Sequence, residues 1–359
     1  MKTKRIFAAV LAAAVSAAML TACGNNADSG INADSISQAS EMDMTDDSDT
    51  SDSESSSVDD AEESEDDDEE ESEDEEESQL YDVGSDYVPT DESNFQIVAD
   101  GDNLRIVKYT GSEPDVKIPE YIDSKQVIVD VNAFYENSVI KSVVVPPTVA
   151  PSVIKFDGST LEKVVTYTNN VSFEEYKKLK EAELNLDPEN PDYNKLPSFR
   201  ECSSLEKVSG TDTEFAIMSC TFQNCTALKE FDFGLCDVSI ATYAFQNCTS
   251  LKEIKLGNVS GIGDKAFYGC ESLSSATVVS LIDCSYIGVY AFANCPNLKS
   301  FIINDATVPL RDNCFGYYDV DINDPAKMKK VDSFTIYAPK YSKAQEYADN
   351  NGFAFEAIS

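Results

Sequence analysis

Cysteines and carboxylates are the residues of this chain that can do chemistry: it has 10 Cys, 66 Asp plus Glu, and no His among 359 residues. Without imidazole, Ser-His-Asp and Cys-His nucleophilic mechanisms are excluded, as are zinc sites that use His. Five cysteines, Cys202, Cys225, Cys248, Cys270 and Cys295, follow one another at spacings of 23, 23, 22 and 25 residues. That is the step of a repeat and not the close pairing of a four-cysteine zinc site. Cys220, Cys236, Cys284 and Cys314 lie outside the series, where a disulfide among them stays open. Carboxylates are abundant enough for a glycosidase-like pair, yet nothing in their spacing singles one out. Asp319, Asp321 and Asn323 begin like a calcium loop, but Asp324 stands where Gly is needed and Lys330 where a bidentate Glu belongs. There is no Gly-rich phosphate loop, and a net charge of −39 opposes binding to nucleic acid. No metal, cofactor or catalytic residue is expected.

Cys23 belongs to a different context. Lys2, Lys4 and Arg5 precede an uncharged apolar run from Ile6 to Leu20, which is shorter than a membrane span needs. The run ends in Leu20-Thr21-Ala22-Cys23, which resembles a bacterial lipobox. The resemblance implies a signal peptide over residues 1–22 and lipidation of Cys23, with two acyl chains supplying a stable anchor. From Gly24 to Ser93 there are 29 acidic residues and no Lys or Arg. Such a Ser-, Asp- and Glu-rich stretch cannot bury enough apolar surface to offset its chain entropy, and like charges extend it. Residues 23–93 are therefore expected to be a disordered acidic linker that holds the rest away from the membrane.

What must position the remaining residues is a repeat. Phe-x-x-Cys-x-x-Leu recurs at Phe199/Cys202/Leu205, Phe222/Cys225/Leu228, Phe245/Cys248/Leu251, Phe267/Cys270/Leu273 and Phe292/Cys295/Leu298. An aliphatic sits five residues before each of the later Phe residues (Ile217, Ile240, Ile262, Ile287), and Leu310 repeats this before Phe315. Three and five residues after the Leu come apolar pairs such as Ile254 and Leu256. Phe and Cys at i and i+3 share one face of a helical turn, and the change to period two from the Leu onward marks a short strand. A unit of about 23 residues cannot bury its own apolar face, so the units must stack into a solenoid. Val129, Phe134, Ile140, Val143 and Val145 extend the frame with Asn137 at the Cys position, and Phe156, Leu161 and Val164 fit with Leu161 one residue early. Residues from Asn94 to Pro119 read as an N-terminal cap. At the other end Val331, Phe334 and Ile336 repeat the strand spacing. An amphipathic helix after Pro339, with Tyr341, Ala344, Tyr347 and Ala348 and a stop at Asn350-Asn351-Gly352, reads as the C-terminal cap.

The units Ile262-Gly263-Asp264-Lys265-Ala266-Phe267-Tyr268-Gly269-Cys270 and Ile287-Gly288-Val289-Tyr290-Ala291-Phe292-Ala293-Asn294-Cys295 resemble the BspA-like bacterial leucine-rich repeat. The resemblance covers roughly residues 94–359. It implies a β-rich α/β leucine-rich-repeat solenoid with one parallel sheet, short helical turns and a helical cap. It further implies a role in cell-surface attachment or protein recognition, with no catalytic residues to transfer. The chain is expected to be a monomer that binds, by adhesion or recognition, a protein on a host, a neighbouring cell or the envelope. A solute-capturing lipoprotein serving a transporter would instead need two α/β lobes around a cleft, against which the 23-residue period speaks. An envelope enzyme would need a clustered constellation that the spacing does not supply.

Two stretches are candidates for binding. The outward positions of the strands, Glu230, Asp232, Glu253, Lys255, Ser275, Thr277, Ser300 and Ile302, form a mixed polar row. Tyr243, Tyr268 and Tyr290 offer aromatic anchors if exposed. Residues 170–198 read as a helical insertion: Ser172-x-x-Glu175 matches a capping box, Phe173, Tyr176 and Leu179 share a helical face, and Pro188, Pro191 and Pro197 follow. Insertions in solenoids often lie on the binding face.

Overall fold

Short runs rich in Val, Ile and Phe with period two form the strands, and the polar turn residues between them send the chain around to the next coil. The computed structural model describes residues 87–358, apart from 150–152, 187–194, 212–214, 282–283, 321–323 and 325–326. The expected signal peptide, Cys23 and the expected linker as far as residue 86 thus lie outside the described residues. The last residues of the expected linker are held against the first coils instead of extending freely: Tyr87 Oη donates to the Ile118 carbonyl at 2.6 Å, and Thr90 N to the Lys117 carbonyl at 2.9 Å.

The first strands close the N-terminal end. β1 (Phe95–Asp100) and β2 (Asn103–Tyr109) form an antiparallel hairpin. After β3 (Asp115–Lys117), β4 (Tyr121–Ile122) pairs antiparallel with β5 (Lys125–Val129), which runs parallel to β2. Next come β6 (Ser142–Val145), β7 (Lys163–Thr166), β8 (Glu181–Leu184), β9 (Lys207–Gly210), β10 (Phe215–Ile217) and β11 (Glu230–Asp232). Strands β3, β6, β7, β8, β9 and β11 make one parallel sheet in that spatial order. Its register brings Val116, Val143, Val164, Ala182, Val208 and Phe231 side by side, all buried. The strand-side wall then continues through β13 (Glu253–Ile262) and β14 (Ser275–Ser280), and finally β15 (Ser300–Ile302), β18 (Thr335–Pro339) and β19 (Ala354–Ile358).

The repeat Leu does not begin the strand, as the change of period suggested; it ends the turn. The N–H groups of Leu205, Leu273 and Leu298 donate to the carbonyls of Cys202, Cys270 and Cys295 at 3.0, 3.0 and 3.1 Å, and β9, β14 and β15 start two residues later. Leu228 and Leu251 do the same before β11 and β13. With its N–H spent inside the turn, the Leu backbone cannot donate to a neighbouring strand, although its side chain still points inward.

The aliphatic positions five residues before Phe form a second parallel ladder. β10, β12 (Val238–Ile240) and the last residues of β13 pair there, and single bridges carry it on through Ile262, Ile287 and Leu310. This ladder explains the Ile-Gly of the repeat. A Cβ on Gly263 would lie 2.5 Å from Thr242 N, and one on Gly288 would lie 2.5 Å from Asp264 N. The coils approach too closely at this step for any side chain.

Between the two ladders runs a column of Phe rings. Neighbouring centroids from Phe134 through Phe156, Phe173, Phe199, Phe222, Phe245, Phe267 and Phe292 to Phe315 are 4.8–6.1 Å apart. Phe95 and Tyr109 close it at the first end. At the second, Phe334 follows Phe315, and the Tyr347 ring meets Phe315 edge-on. Tyr347 belongs to α1 (Lys343–Asn351), which Ser342 caps by accepting from Gln345 N at 3.1 Å and Gly352 ends with φ 64°. Tyr341 is 94% exposed and precedes the helix, so it is not part of the buried face formed by Ala344, Tyr347 and Ala348.

Residues 170–186 are not a helical insertion. They form a further coil: Phe173 stacks between Phe156 and Phe199, Tyr176 takes the Cys position, Leu179 the Leu position, and Ala182 and Leu184 the strand pair on β8. Glu175 has φ 65°, a left-handed backbone that interrupts a helix where the capping box would have begun one. An i, i+3, i+6 apolar spacing suits a helix face and a repeat turn equally, and here the Phe column selects the turn. A true insertion follows Phe315: β16 (Tyr317–Tyr318) and β17 (Lys329–Lys330) pair as an antiparallel ribbon.

Candidate functional site: an extended solenoid surface

The residue two after each repeat Phe has a left-handed backbone, with φ 63° at Asn224, 59° at Asn247, 76° at Gly269 and 57° at Asn294. Asn and Gly tolerate that conformation best. This turn carries the following Cys inward. The ladder Phe, Cys and Leu residues are all buried, none more than 2% exposed. Leu205, Leu228, Leu251, Leu273 and Leu298 lie in the one continuous apolar core with the Phe column, so they serve packing and take no part in the outer surface. Each thiol donates to the carbonyl of the Phe one coil back: Cys202 to Phe173 at 2.8 Å, Cys225 to Phe199 and Cys248 to Phe222 at 3.1 Å, Cys270 to Phe245 and Cys295 to Phe267 at 3.2 Å. Burial pushes the Cys202 and Cys295 thiols up to about 12 and those of Cys225, Cys248 and Cys270 well above the ordinary range. None of these five is in a disulfide, nor are Cys236, Cys284 and Cys314, so no bridge forms among Cys220, Cys236, Cys284 and Cys314. A buried thiol held protonated is a packing group and a weak donor, not a nucleophile.

On the turn side, polar side chains form rungs of their own. Arg200 Nε donates to Gln223 Oε1 at 3.1 Å, and Gln223 Nε2 to Gln246 Oε1 at 2.5 Å. In the next row Asn224 Nδ2 donates to Glu201 at 2.6 Å, and Asn247 Nδ2 to Asn224 at 2.8 Å.

On the strand side, the parallel register sets Lys163, Glu181, Lys207 and Glu230 abreast, with ion pairs Lys163–Glu181 at 3.3 Å and Lys207–Glu230 at 3.4 Å. The adjacent row adds Lys180–Glu162 and Lys229–Glu206, each at 2.7 Å. The lysine ammonium beside each carboxylate holds Glu162 and Glu206 below the ordinary carboxylate range. The N-terminal half of this face therefore neutralises itself. Farther on the pattern changes. Glu253 and Lys255 pair within their own strand at 3.4 Å, and their neighbours Ser275 and Thr277 are uncharged. Ser300 and Ile302 continue this less charged part, and Ile302 is 57% exposed. Of the outward candidates, Ser275 is half-buried, and Glu230, Asp232, Glu253, Lys255, Thr277 and Ser300 are exposed. They are distributed over three separately hydrogen-bonded groups of strands: β11 in the first, β13 and β14 in the second, β15 in the third.

Tyr243, Tyr268 and Tyr290 are half-buried. Tyr243 lies under the Lys265 ammonium, 5.3 Å from its ring centroid. Tyr268 donates to the Val320 carbonyl at 2.8 Å, and both Tyr268 and Tyr290 pack against Ala293, Tyr317 and Val320. The ribbon after Phe315 thus covers two of the three tyrosines. Asp319, the first residue of the calcium-loop pattern, is paired with Lys329 at 2.6 Å, while Asp321 and Asn323 lie outside the described residues. Among the described residues no cluster of three or more Cys, Asp or Glu is placed to hold a metal ion.

Stacked coils with a strand-side sheet, a buried Phe-Cys-Leu ladder and polar turn-side rungs define a leucine-rich-repeat solenoid. The family profile described as "BspA type Leucine rich repeat region (6 copies)" matches residues 116–229 and 195–322. The chain belongs to this BspA-type leucine-rich-repeat family. Among solved structures, it is similar to a T. pallidum leucine-rich-repeat protein at 15% identity, covering 76% of this chain and 100% of that one with a TM-score of 0.29. A leucine-rich cell surface protein from Faecalibacterium prausnitzii matches at 14% identity over 76% of this chain and 95% of its own, TM-score 0.27. A leucine-rich-repeat protein from Bacteroides ovatus matches at 14% identity over 76% and 100%, TM-score 0.24. No curated protein matches the chain.

Proposed function

We propose that this chain is a lipid-anchored cell-surface protein that works by binding another protein, and not by catalysis. Cys23 would carry the lipid, the acidic residues from 24 to 86 would hold the solenoid off the membrane, and the solenoid would meet a partner on a host, a neighbouring cell or the envelope. The observation that carries this reading is how the side chains are divided. Phe, Cys and Leu are consumed in coil-to-coil packing, and the outward rows of successive coils are left as a repeating, largely polar surface carried on several groups of strands. A rigid array of that kind suits recognition of a macromolecule. The ladder thiols, the strongest nucleophiles the repeat could offer, are buried and protonated, which suits no covalent chemistry.

In-cell photocrosslinking tests the reading. A photoreactive residue placed at Lys255, Thr277 or Ser300 of the full chain is expected to give an adduct with a discrete protein, and one at buried Leu251 is not. Crosslinks only to lipid or glycan from every outward position would sink it. For the anchor, Cys23→Ala is expected to abolish fatty-acid labelling and to release the protein from the membrane fraction. Retention with undiminished labelling would remove Cys23 from that role.

A further inference from the structure

The coil that carries Phe156 is shorter in its turn than its neighbours. Leu161 follows Phe156 by five residues, where Leu228 follows Phe222 by six. Gly158 occupies the shortened turn, and a Cβ there would lie 2.7 Å from Cδ1 of Tyr176, whose ring has taken that space. The deficit leaves a notch of ≈ 440 Å³ between the coil before and the coil after. Its walls are apolar: Tyr135 and Val153 line it while 54% and 44% exposed, and Tyr176 and Phe156 close its inner side. Its rim is acidic. Glu136, Asp157, Glu174 and Glu175 surround it against a single cation, Lys155. Ser198 Oγ donates to Glu174 at 2.8 Å, and the nearby Lys177 ammonium is taken up by Glu201, donating to its carbonyl at 2.6 Å. These carboxylates do not converge into a cluster that would hold a metal ion.

An apolar floor under a dispersed carboxylate rim matches a cation that has an apolar body. The methylene stem of an arginine or lysine would lie on Tyr135 and Val153, and its charged head would reach the rim. We infer that this notch receives a basic side chain, an arginine first, presented by the protein partner. Arginine fits better because its planar fork can serve two separated carboxylates at once, whereas an ammonium acts as a point charge. The inference rests on the proposed protein-binding role and deepens it by naming the chemistry that one part of the surface recognises.

The test uses the full chain and a labelled peptide with one arginine among Gly and Ser, carrying a photocrosslinker beside it, with citrulline replacing arginine as its control. Binding is read by fluorescence anisotropy, and the crosslinked positions by mass spectrometry. The expected result is saturable binding that favours arginine over citrulline at least tenfold, with adducts at residues 135, 153 and 176. It should weaken at least tenfold in both Glu136→Gln/Glu175→Gln and Tyr135→Ala, and be unchanged in Asp332→Asn, an exposed carboxylate near the far end of the chain. The acidic linker is common to every variant, so its contribution cancels. Adducts confined to the linker or spread evenly over acidic residues would overturn the notch, as would equal affinity in Glu136→Gln/Glu175→Gln and the parent. Protein adducts from Thr277 together with such a result would overturn the notch alone and leave the binding role standing. Notch binding without any protein adduct from the outward positions would place the failure in the broader reading instead.

Discussion

The Tyr176 hydroxyl donates to the Phe156 carbonyl at 2.7 Å and accepts from the Phe156 N–H at 3.1 Å. A tyrosine at the Cys position thus performs the contact that Cys225 makes with Phe199, and reaches across the shortened turn to do so. Tyr347 repeats it on the last coil, donating to the Phe315 carbonyl at 3.0 Å and accepting from its N–H at 3.2 Å. Where a regular neighbouring coil is missing or displaced, a phenol supplies the backbone partner. Tyr176→Phe would leave two Phe156 backbone groups unpaired near the core, so a loss of about 1–3 kcal/mol is expected in urea denaturation. An unchanged midpoint would show that the hydroxyl is dispensable.

Alkaline pH should destabilise the solenoid. The ladder thiols have folded pKa values raised by burial, to about 12 for Cys202 and Cys295, above the ordinary value of 9.0. The unfolded chain therefore releases these protons first as pH rises. Their contribution is intact below pH 9 and lost progressively between 9 and about 12, each thiol adding a slope of roughly 1.4 kcal/mol per pH unit at most. Urea midpoints are expected to be level from pH 7 to 8 and to fall steadily at pH 9, 10 and 11, less steeply in Cys270→Ala. A level profile up to pH 11 would contradict the burial of these groups.

Gly263→Ala should be costly although Gly263 is not in a left-handed conformation. Its Cβ would press on Thr242 N at 2.5 Å, and backbone cannot step aside as a flexible side chain can. Overpacking of this kind costs about 1–3 kcal/mol. Gly101→Ala isolates the other effect, since open space surrounds it and only its φ of 63° opposes a side chain; about 1–2 kcal/mol is expected there. Thermal melts of the two variants are the measurement, and a harmless Gly263→Ala would show that the coils can separate at this step.

Removing a ring from the middle of the Phe column should do more than lower stability. Phe245 lies 5.1 Å from Phe222 and 5.0 Å from Phe267, with Phe231 edge-on at 5.1 Å. Phe245→Ala is expected to cost roughly 3–5 kcal/mol. Because each coil couples only to its neighbours, the two halves should also begin to unfold separately. A smaller m-value or a second transition is the expected sign, and a single transition with the parent m-value would mean that the coupling runs elsewhere.

Much of this architecture was legible in the chain because burial repeats at a fixed period. Phe222, Cys225 and Leu228 sit one unit from Phe245, Cys248 and Leu251, and only a stack lets every unit bury the same positions. The coil at Phe173 was harder to see. Tyr176 replaces Cys, and the steps from Phe156 to Phe173 and from Phe173 to Phe199 are 17 and 26 residues. Its local spacing is as helical as it is solenoidal. The end of each turn was blurred too, since Leu205, Leu273 and Leu298 are buried like strand residues while their N–H groups still belong to the turn. The notch was hidden for a related reason: a missing residue at Leu161 looked like an imperfect repeat, and what fills the gap comes from the next coil.

The sequence by itself determined the repeat, its period, the buried Phe, Cys and Leu positions and the acidic segment that precedes them, since these depend on residue type and spacing along one chain. Tertiary structure decided which residues meet across coils. The Lys207–Glu230 pair, the Tyr268–Val320 bond, the Tyr176 bridge to Phe156 and the acidic notch all join residues 20 or more positions apart. Their contacts follow from the rotation and register of one coil on the next, which is set by how closely backbones and rings can pack, and no local pattern records it.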